Sequence, residues 1–213
     1  MSASSLERTS AVDAAGRGIH PVAGIMGGMP GLRDTTAPGA VVLETDRLLL
    51  RRWIIGDAAL QRRLWEERDP RAPAHRRLSP DGHPTVAEFE DRIRTAERRP
   101  GMGLLVAVRR DDGAAIGYCG LIANPDGPDD EPEIAYELLR AAWGRGYATE
   151  AAHAVVAWAS ASGHRRLWAT VRDWNTASRR VVAKLGFVET DRVEPDAVHG
   201  DSLFHRLDLP GGR

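Results

Sequence analysis

The chain has 213 residues, enough for one domain with or without a tail. Charged residues make up 28% and nearly cancel to a net −1, so a general nucleic-acid-binding or membrane-surface role is not favoured. The single cysteine, Cys119, excludes an internal disulfide and fits a reducing, cytoplasmic setting, and no apolar run approaches the ~20 residues of a membrane helix.

Residues 1–40 hold seven glycines, no aromatic residue and no apolar period, which predicts a disordered or loosely attached tail. An arm that orders over substrate is the other reading. From Val41 the pattern becomes extended: Val41–Thr45, then Arg47–Trp53. Asp57 is placed to cap a helix running to about Arg68, with Leu60 and Leu64 inward. Residues 69–84 are proline-rich and form a loop, in which His75 and His83 are candidate substrate contacts or solvated side chains. They lack the companion ligands of a metal site, so no metal is expected. Thr85-Val86-Ala87-Glu88 is a capping box that opens a helix to about Arg98, with Val86, Phe89 and Ile93 inward.

Leu104–Val108 and Ala114–Ile122 read as a hairpin across Asp111-Asp112-Gly113, and an acidic loop follows. In Glu133–Leu139, Ile134, Tyr136 and Leu138 alternate as in a strand, while Ala148–Ala159 carries small apolar residues at helical spacing. Gly144, Arg145, Gly146 and Tyr147 lie between. A strand, a glycine turn and a helix start together suit an anion: glycines let it approach, the first helical N–H groups face it, and Arg145 adds charge. A diphosphate is the expected occupant. It is not a dinucleotide fingerprint, because Thr149 stands at its third glycine, and no Gly-Lys-Ser/Thr follows as in a nucleoside-triphosphate loop. Further on come a strand at Arg166–Arg172, a helix after Asn175 that stops at Gly186, and strands from Phe187 and at Leu203–Leu209.

The turn Trp143-Gly144-Arg145-Gly146-Tyr147-Ala148-Thr149 resembles the Arg/Gln-x-x-Gly-x-Gly/Ala loop of the GNAT superfamily of acyl-CoA N-acyltransferases, with Trp143 standing for the Arg or Gln. Together with the opening Glu44-Thr45-Asp46-Arg47-Leu48-Leu49-Leu50-Arg51, it is similar to the RimJ/RimL branch, the ribosomal-protein alanine N-acetyltransferases. Asn175-x-x-Ser178 followed by Leu185-Gly186-Phe187 resembles the superfamily's second signature.

The resemblance covers residues 41–209, leaving 210–213 as a short tail. It implies an α/β (α+β) GNAT fold: a mixed, mostly antiparallel sheet, one splayed parallel strand pair, and helices on both faces. The implied function is transfer of acetyl from acetyl-CoA to a primary amine, either a protein N-terminus or a small molecule; a non-catalytic acyl-CoA-binding sensor or scaffold is the alternative. The splay would leave main-chain groups of Leu138, Leu139 and Arg140 free for the pantetheine arm, with the pyrophosphate on Gly144 to Thr149 (Ala148 included), Asn175 on the other side of the arm and Ser178 near the sulfur. Glu133 is the first candidate base, Glu137 the alternative, and Glu150 a helix-dipole charge. Many GNAT enzymes have a Tyr seven residues after the Asn; here it is Val182, which leaves Ser178 or water to protonate the thiolate, or leaves that step uncatalysed. No metal, nucleic acid or membrane enters this reading; a homodimer is the assembly the family suggests.

Overall fold

The computed structural model describes residues 35–125 and 127–210. Most of the expected N-terminal tail, residues 1–34, lies outside them, as do 211–213 of the C-terminal one. Of the expected tail, residues 35–40 are described; the Thr35 and Ala40 carbonyls accept from Arg52 Nε and the Arg52 N–H, each at 2.9 Å.

Eight strands form one sheet: β1 (Val41–Glu44), β2 (Leu48–Arg51), β3 (Gly103–Arg109), β4 (Ala115–Ile122), β5 (Glu133–Leu138), β6 (Arg166–Arg172), β7 (Val188–Glu194) and β8 (Ser202–Asp208). Their order across the sheet is β1-β2-β3-β4-β5-β6-β8-β7, with every neighbouring pair antiparallel except β5 and β6. Among the described residues four α-helices connect them: α1 (Ala58–Glu66), α2 (Val86–Thr95), α3 (Tyr147–Ala161) and α4 (Thr176–Lys184). This is the mixed α/β fold expected from the motifs.

The period of two in the strands divides the apolar residues between the faces. Cys119, Leu121, Ile134, Tyr136, Leu138, Leu167 and Val171 join the α3 residues Ala148, Ala151, Ala152 and Val155 and the α4 residues Val181 and Val182 in the main core. Tyr118 and Leu139 instead meet Leu64 of α1, and behind them Trp65 packs edge-on against Phe89 of α2 at 5.4 Å. So α1 and α2 cover one face, α3 and α4 the other.

Several local expectations shift. Asp57 does not cap α1 with its side chain. It grips Arg51 with both oxygens, at 2.8 and 2.7 Å, and accepts the Ile54 N–H at 2.9 Å; a buried carboxylate gains more from a guanidinium than from one orphan N–H. The capping box at Thr85 forms as expected, with Glu88 reaching back to the Thr85 N–H at 2.6 Å. The helix it opens ends at Thr95, and Val86 is 40% exposed rather than inward. Cys119 is fully buried, and burial pushes its thiol pKa upward, which removes it from nucleophilic chemistry. Lys184, the only lysine of the chain, ends α4 on the exposed surface.

Candidate functional site

The parallel pair β5–β6 holds the geometry that matters. Within the described residues the two strands are bridged at one register position, Glu133 opposite Trp168. The Trp168 N–H still reaches the Pro132 carbonyl at 2.9 Å. Two residues on, the Thr170 N–H goes to the side chain of Glu133, Oε1 at 3.1 Å. A parallel ladder would have given that N–H to a main-chain carbonyl of β5. The Glu133 carboxylate, 2% exposed, therefore stands in for the next rung, and the strands part there.

Strand alternation decides which main-chain groups face the gap. The Leu139 N–H donates to the Ile116 carbonyl of β4 at 2.9 Å, so odd-numbered residues of β5 turn toward β4. Tyr136 and Leu138 turn toward β6. This corrects the expectation that Leu138, Leu139 and Arg140 are all left unpaired. Leu139 belongs to the β4 ladder. The Arg140 N–H is held by the Glu67 carboxylate at 2.6 Å, and the Leu138 carbonyl accepts the Trp143 indole N–H at 2.7 Å. Of the three, Leu138 alone presents its main chain to the gap; Tyr136, which the sequence reading passed over, joins it.

After β5 a one-turn helix, Arg140–Ala142, leads into the glycine turn. Gly144 and Gly146 adopt φ of +71° and +79°, in the left-handed region that a side chain disfavours. Gly144 and Arg145 are exposed; Gly146, Tyr147, Ala148 and Thr149 are buried as residues. Gly146 is the N-cap of α3 and supplies no side chain, and the helical ladder begins only with the Glu150 N–H to the Gly146 carbonyl at 3.0 Å. The preceding N–H groups of Tyr147 and Ala148 lie outside that ladder, at the positive end of a 15-residue helix. Such a terminus suits an anion.

Glu150 does more than complement the dipole. Its Oε1 accepts from the Thr45 hydroxyl at 2.6 Å and the Arg47 N–H at 2.9 Å, and its Oε2 takes Arg47 Nε at 2.7 Å. Arg47 also donates to the Arg145 carbonyl at 2.9 Å and lies 4.6 Å from the Tyr147 ring centroid. Two sequence stretches about a hundred positions apart thus form one cluster that fixes the turn.

A cleft of about 230 Å³ opens between the end of α1 with its following loop on one side and β5, Trp143 and the start of α4 on the other. Leu138, Glu137 and Asn175 line it; Glu133 and Ser178 do not. His75 and His83 are also absent from its lining, and His83 pairs instead with Glu88 at 2.8 Å. Glu137 is committed: Arg68 grips both oxygens at 2.7 and 2.6 Å, and the Tyr118 hydroxyl donates at 2.9 Å. Burial and the Glu137 charge both push the Tyr118 phenol pKa upward, so it stays a donor. Three donors on two oxygens make Glu137 an anchor between the end of α1 and β5.

Asn175 caps α4, its Oδ1 accepting the Ser178 N–H at 3.1 Å. Ser178 is 1% exposed, and its hydroxyl lies 2.9 Å from the Tyr136 hydroxyl. This corrects its expected place: the hydroxyl is occupied by the Tyr136 hydroxyl inside the protein and does not line this cleft. Val182 is buried at 1% exposure. Arg68, Tyr118 and Trp174 were not singled out from sequence, because their partners lie far away along the chain; Trp143 was read only as a substitution within the loop motif, and its indole bond to the Leu138 carbonyl was not foreseen.

Comparison with known proteins bears on the fold and the family. Over 91 residues the chain is 32% identical to the uncharacterized protein YkkB of Bacillus subtilis (strain 168), a match covering 42% of this chain and 53% of that one; the chain thus spans about half the length of this curated relative. The GNAT-family acetyltransferase from Bacillus anthracis superposes with a TM-score of 0.63 at 18% identity, covering 78% of this chain and 96% of that one. RimJ of Mycobacterium smegmatis, solved in complex with CoA-disulfide, gives a TM-score of 0.59 at 25% identity, over 76% and 81% of the two chains. A family model described as an acetyltransferase (GNAT) domain matches residues 47–188, a span that holds the split strand pair, the glycine turn and the Asn175 cap; with that match the chain belongs to the GNAT acetyltransferase family, whose acyl donor is acetyl-CoA.

Proposed function

We propose that this protein transfers the acetyl group of acetyl-CoA to a primary amine by direct attack of the amine nitrogen on the thioester carbon, with departure of the CoA thiolate. The observation that carries the reading is the parting of β5 and β6 after one bridge, beside a glycine turn at a helix start. The pantetheine arm pairs with Tyr136 and Leu138 as a pseudo-strand, exchanging for the Trp143 indole at the Leu138 carbonyl. The pyrophosphate takes the N–H groups of the 144–149 turn, with Arg145 beside it. Asn175 bounds the arm from the α4 side, and a main-chain N–H near Leu138 meets the oxyanion. The domain is that of residues 41–209, in a cytoplasmic setting that suits the free, buried Cys119.

The acceptor's pKa sets how much help it needs. An α-amine near 8 is roughly a tenth neutral at pH 7, whereas a lysine near 10.4 is neutral about once in 2,500. The likeness to RimJ supports an α-amine, so peptides beginning with Ala or Ser come first in a screen against small-molecule amines. Thiol release that depends on one of these amines is the expected result. Binding of acetyl-CoA with no thiol release across the panel would instead favour an acyl-CoA sensor.

Glu133 is the proposed base, acting at the point where the strands part. Glu133→Gln keeps an oxygen for the Thr170 N–H, so the split survives while the basicity is lost. The expected result is a fall of about a hundredfold or more in kcat, steepest below pH 8, with acetyl-CoA affinity retained. An unchanged pH–rate profile from pH 6 to 9 would reduce Glu133 to a structural wedge.

A further inference from the structure

We infer that Arg71 and Trp174 form a bar across the cleft that sets how bulky an acceptor amine can be. The inference deepens the acetyl-transfer reading and rests on it for the identity of the cleft. Arg71 belongs to the segment after α1, Trp174 to the turn between β6 and α4, so they stand on opposite walls, and both line the cleft. The Arg71 guanidinium lies 4.0 Å from the Trp174 ring centroid, a cation on an aromatic face.

Each half is braced from behind. Asp69 takes Arg71 Nε, Arg71 Nη2 and the Arg71 main-chain N–H, each at 2.9 Å. The Trp174 indole N–H donates to the His199 carbonyl at 2.7 Å. Next along the loop, Gly200 packs so closely that a Cβ there would come within 2.4 Å of the Trp174 ring. Two braced supports joined face to face close the space between the walls.

The effect on an acceptor is one of width. Arg71 already has a carboxylate on Asp69, so its charge does not have to be met by substrate. Asn175, directly after Trp174, lines the same cleft, so the bar stands next to the expected path of the coenzyme arm. A slim amine such as glycinamide reaches the interior with the bar in place. An amine carrying a large group on the adjacent carbon, such as phenylalaninamide, must lift the guanidinium off the indole. Arg71 is therefore a positioning residue for specificity.

The test is amine binding to the CoA-loaded protein, followed by NMR, for glycinamide and phenylalaninamide against wild type and Arg71→Ala. The expected result is at least fivefold tighter binding of phenylalaninamide to Arg71→Ala, with glycinamide changed less than twofold. In addition the Trp174 indole N–H resonance, identified by its loss in Trp174→Phe, shifts in Arg71→Ala. Equal changes for the two amides, no binding of either, or an unmoved indole resonance overturns the inference. Thiol release is measured separately: amine binding with the expected size preference but no turnover defeats the acetyl-transfer reading and leaves the bar intact.

Discussion

Gly146→Glu is expected to lower acetyl-CoA affinity by at least a hundredfold in isothermal titration, with the protein still folded by circular dichroism. Two effects are expected, one on stability and one on affinity. Gly146 sits at φ +79°, so any Cβ there costs roughly 1–2 kcal/mol of left-handed strain, met on folding in free and bound protein alike. The new carboxylate then stands at the α3 N-terminus, where the proposed diphosphate is to be held by main-chain N–H groups. Two unit charges about 4 Å apart near a protein surface repel by about 4 kcal/mol, which alone exceeds a hundredfold in affinity. Gly146→Ala separates the terms: it carries the strain without the charge, so it should lower Tm while costing far less acetyl-CoA affinity than Gly146→Glu. If Gly146→Glu binds acetyl-CoA as wild type does, the turn is not the coenzyme site, and the proposed function loses its footing.

The largest stability effect is expected at Arg68. Its side chain and that of Glu137 are each about nine-tenths buried, and they meet in a two-point pair completed by Tyr118. Burial alone works against the Arg68 charge, yet Glu137 beside it holds its pKa above the ordinary value. Arg68→Met would leave the Glu137 carboxylate buried against a single hydroxyl. Breaking a buried pair from one side costs about 3–5 kcal/mol, and in a chain of this size that is roughly a 10 °C fall in Tm. Arg68→Met combined with Glu137→Leu should recover most of the loss, because removing both charges removes the unpaired one. Arg68 also donates to the Arg76 carbonyl at 2.6 Å, so the single variant should loosen the loop that forms one cleft wall and raise KM for the amine more than for acetyl-CoA. A double variant no more stable than the single one would show that the pair is not what anchors α1 to β5.

What could be read from sequence was what is encoded locally. The Thr85–Glu88 box closes over three residues, and the strand, glycine turn and helix around Gly144–Gly146 follow from chain geometry within one short stretch. The sheet's make-up followed as well, because hydrophobic alternation marks every strand that faces the core. What escaped were pairings between distant positions. Glu137 looked like a spare carboxylate because nothing nearby announces Arg68, and Glu150 looked like a dipole charge because Thr45 and Arg47 reach it from the opposite end of the domain. Ser178 was misplaced for a related reason: a motif gives its position in the chain, whereas the Tyr136 hydroxyl decides where its oxygen points. Leu139 and Arg140 were grouped with Leu138 by proximity, although strand alternation alone separates Leu139 from it.

The arginine-rich make-up of the chain, with Lys184 as its one lysine, has a practical consequence for work on the protein. Guanidinium groups do not react with activated esters at neutral pH, so amine-directed dyes or resins have a single side-chain handle. That handle lies at the far end of a nine-residue helix whose start lines the cleft, about 13 Å away by helical rise. Coupling at that side chain stays clear of the cleft, and the protein has almost no side-chain amine of its own to consume a transferase's donor.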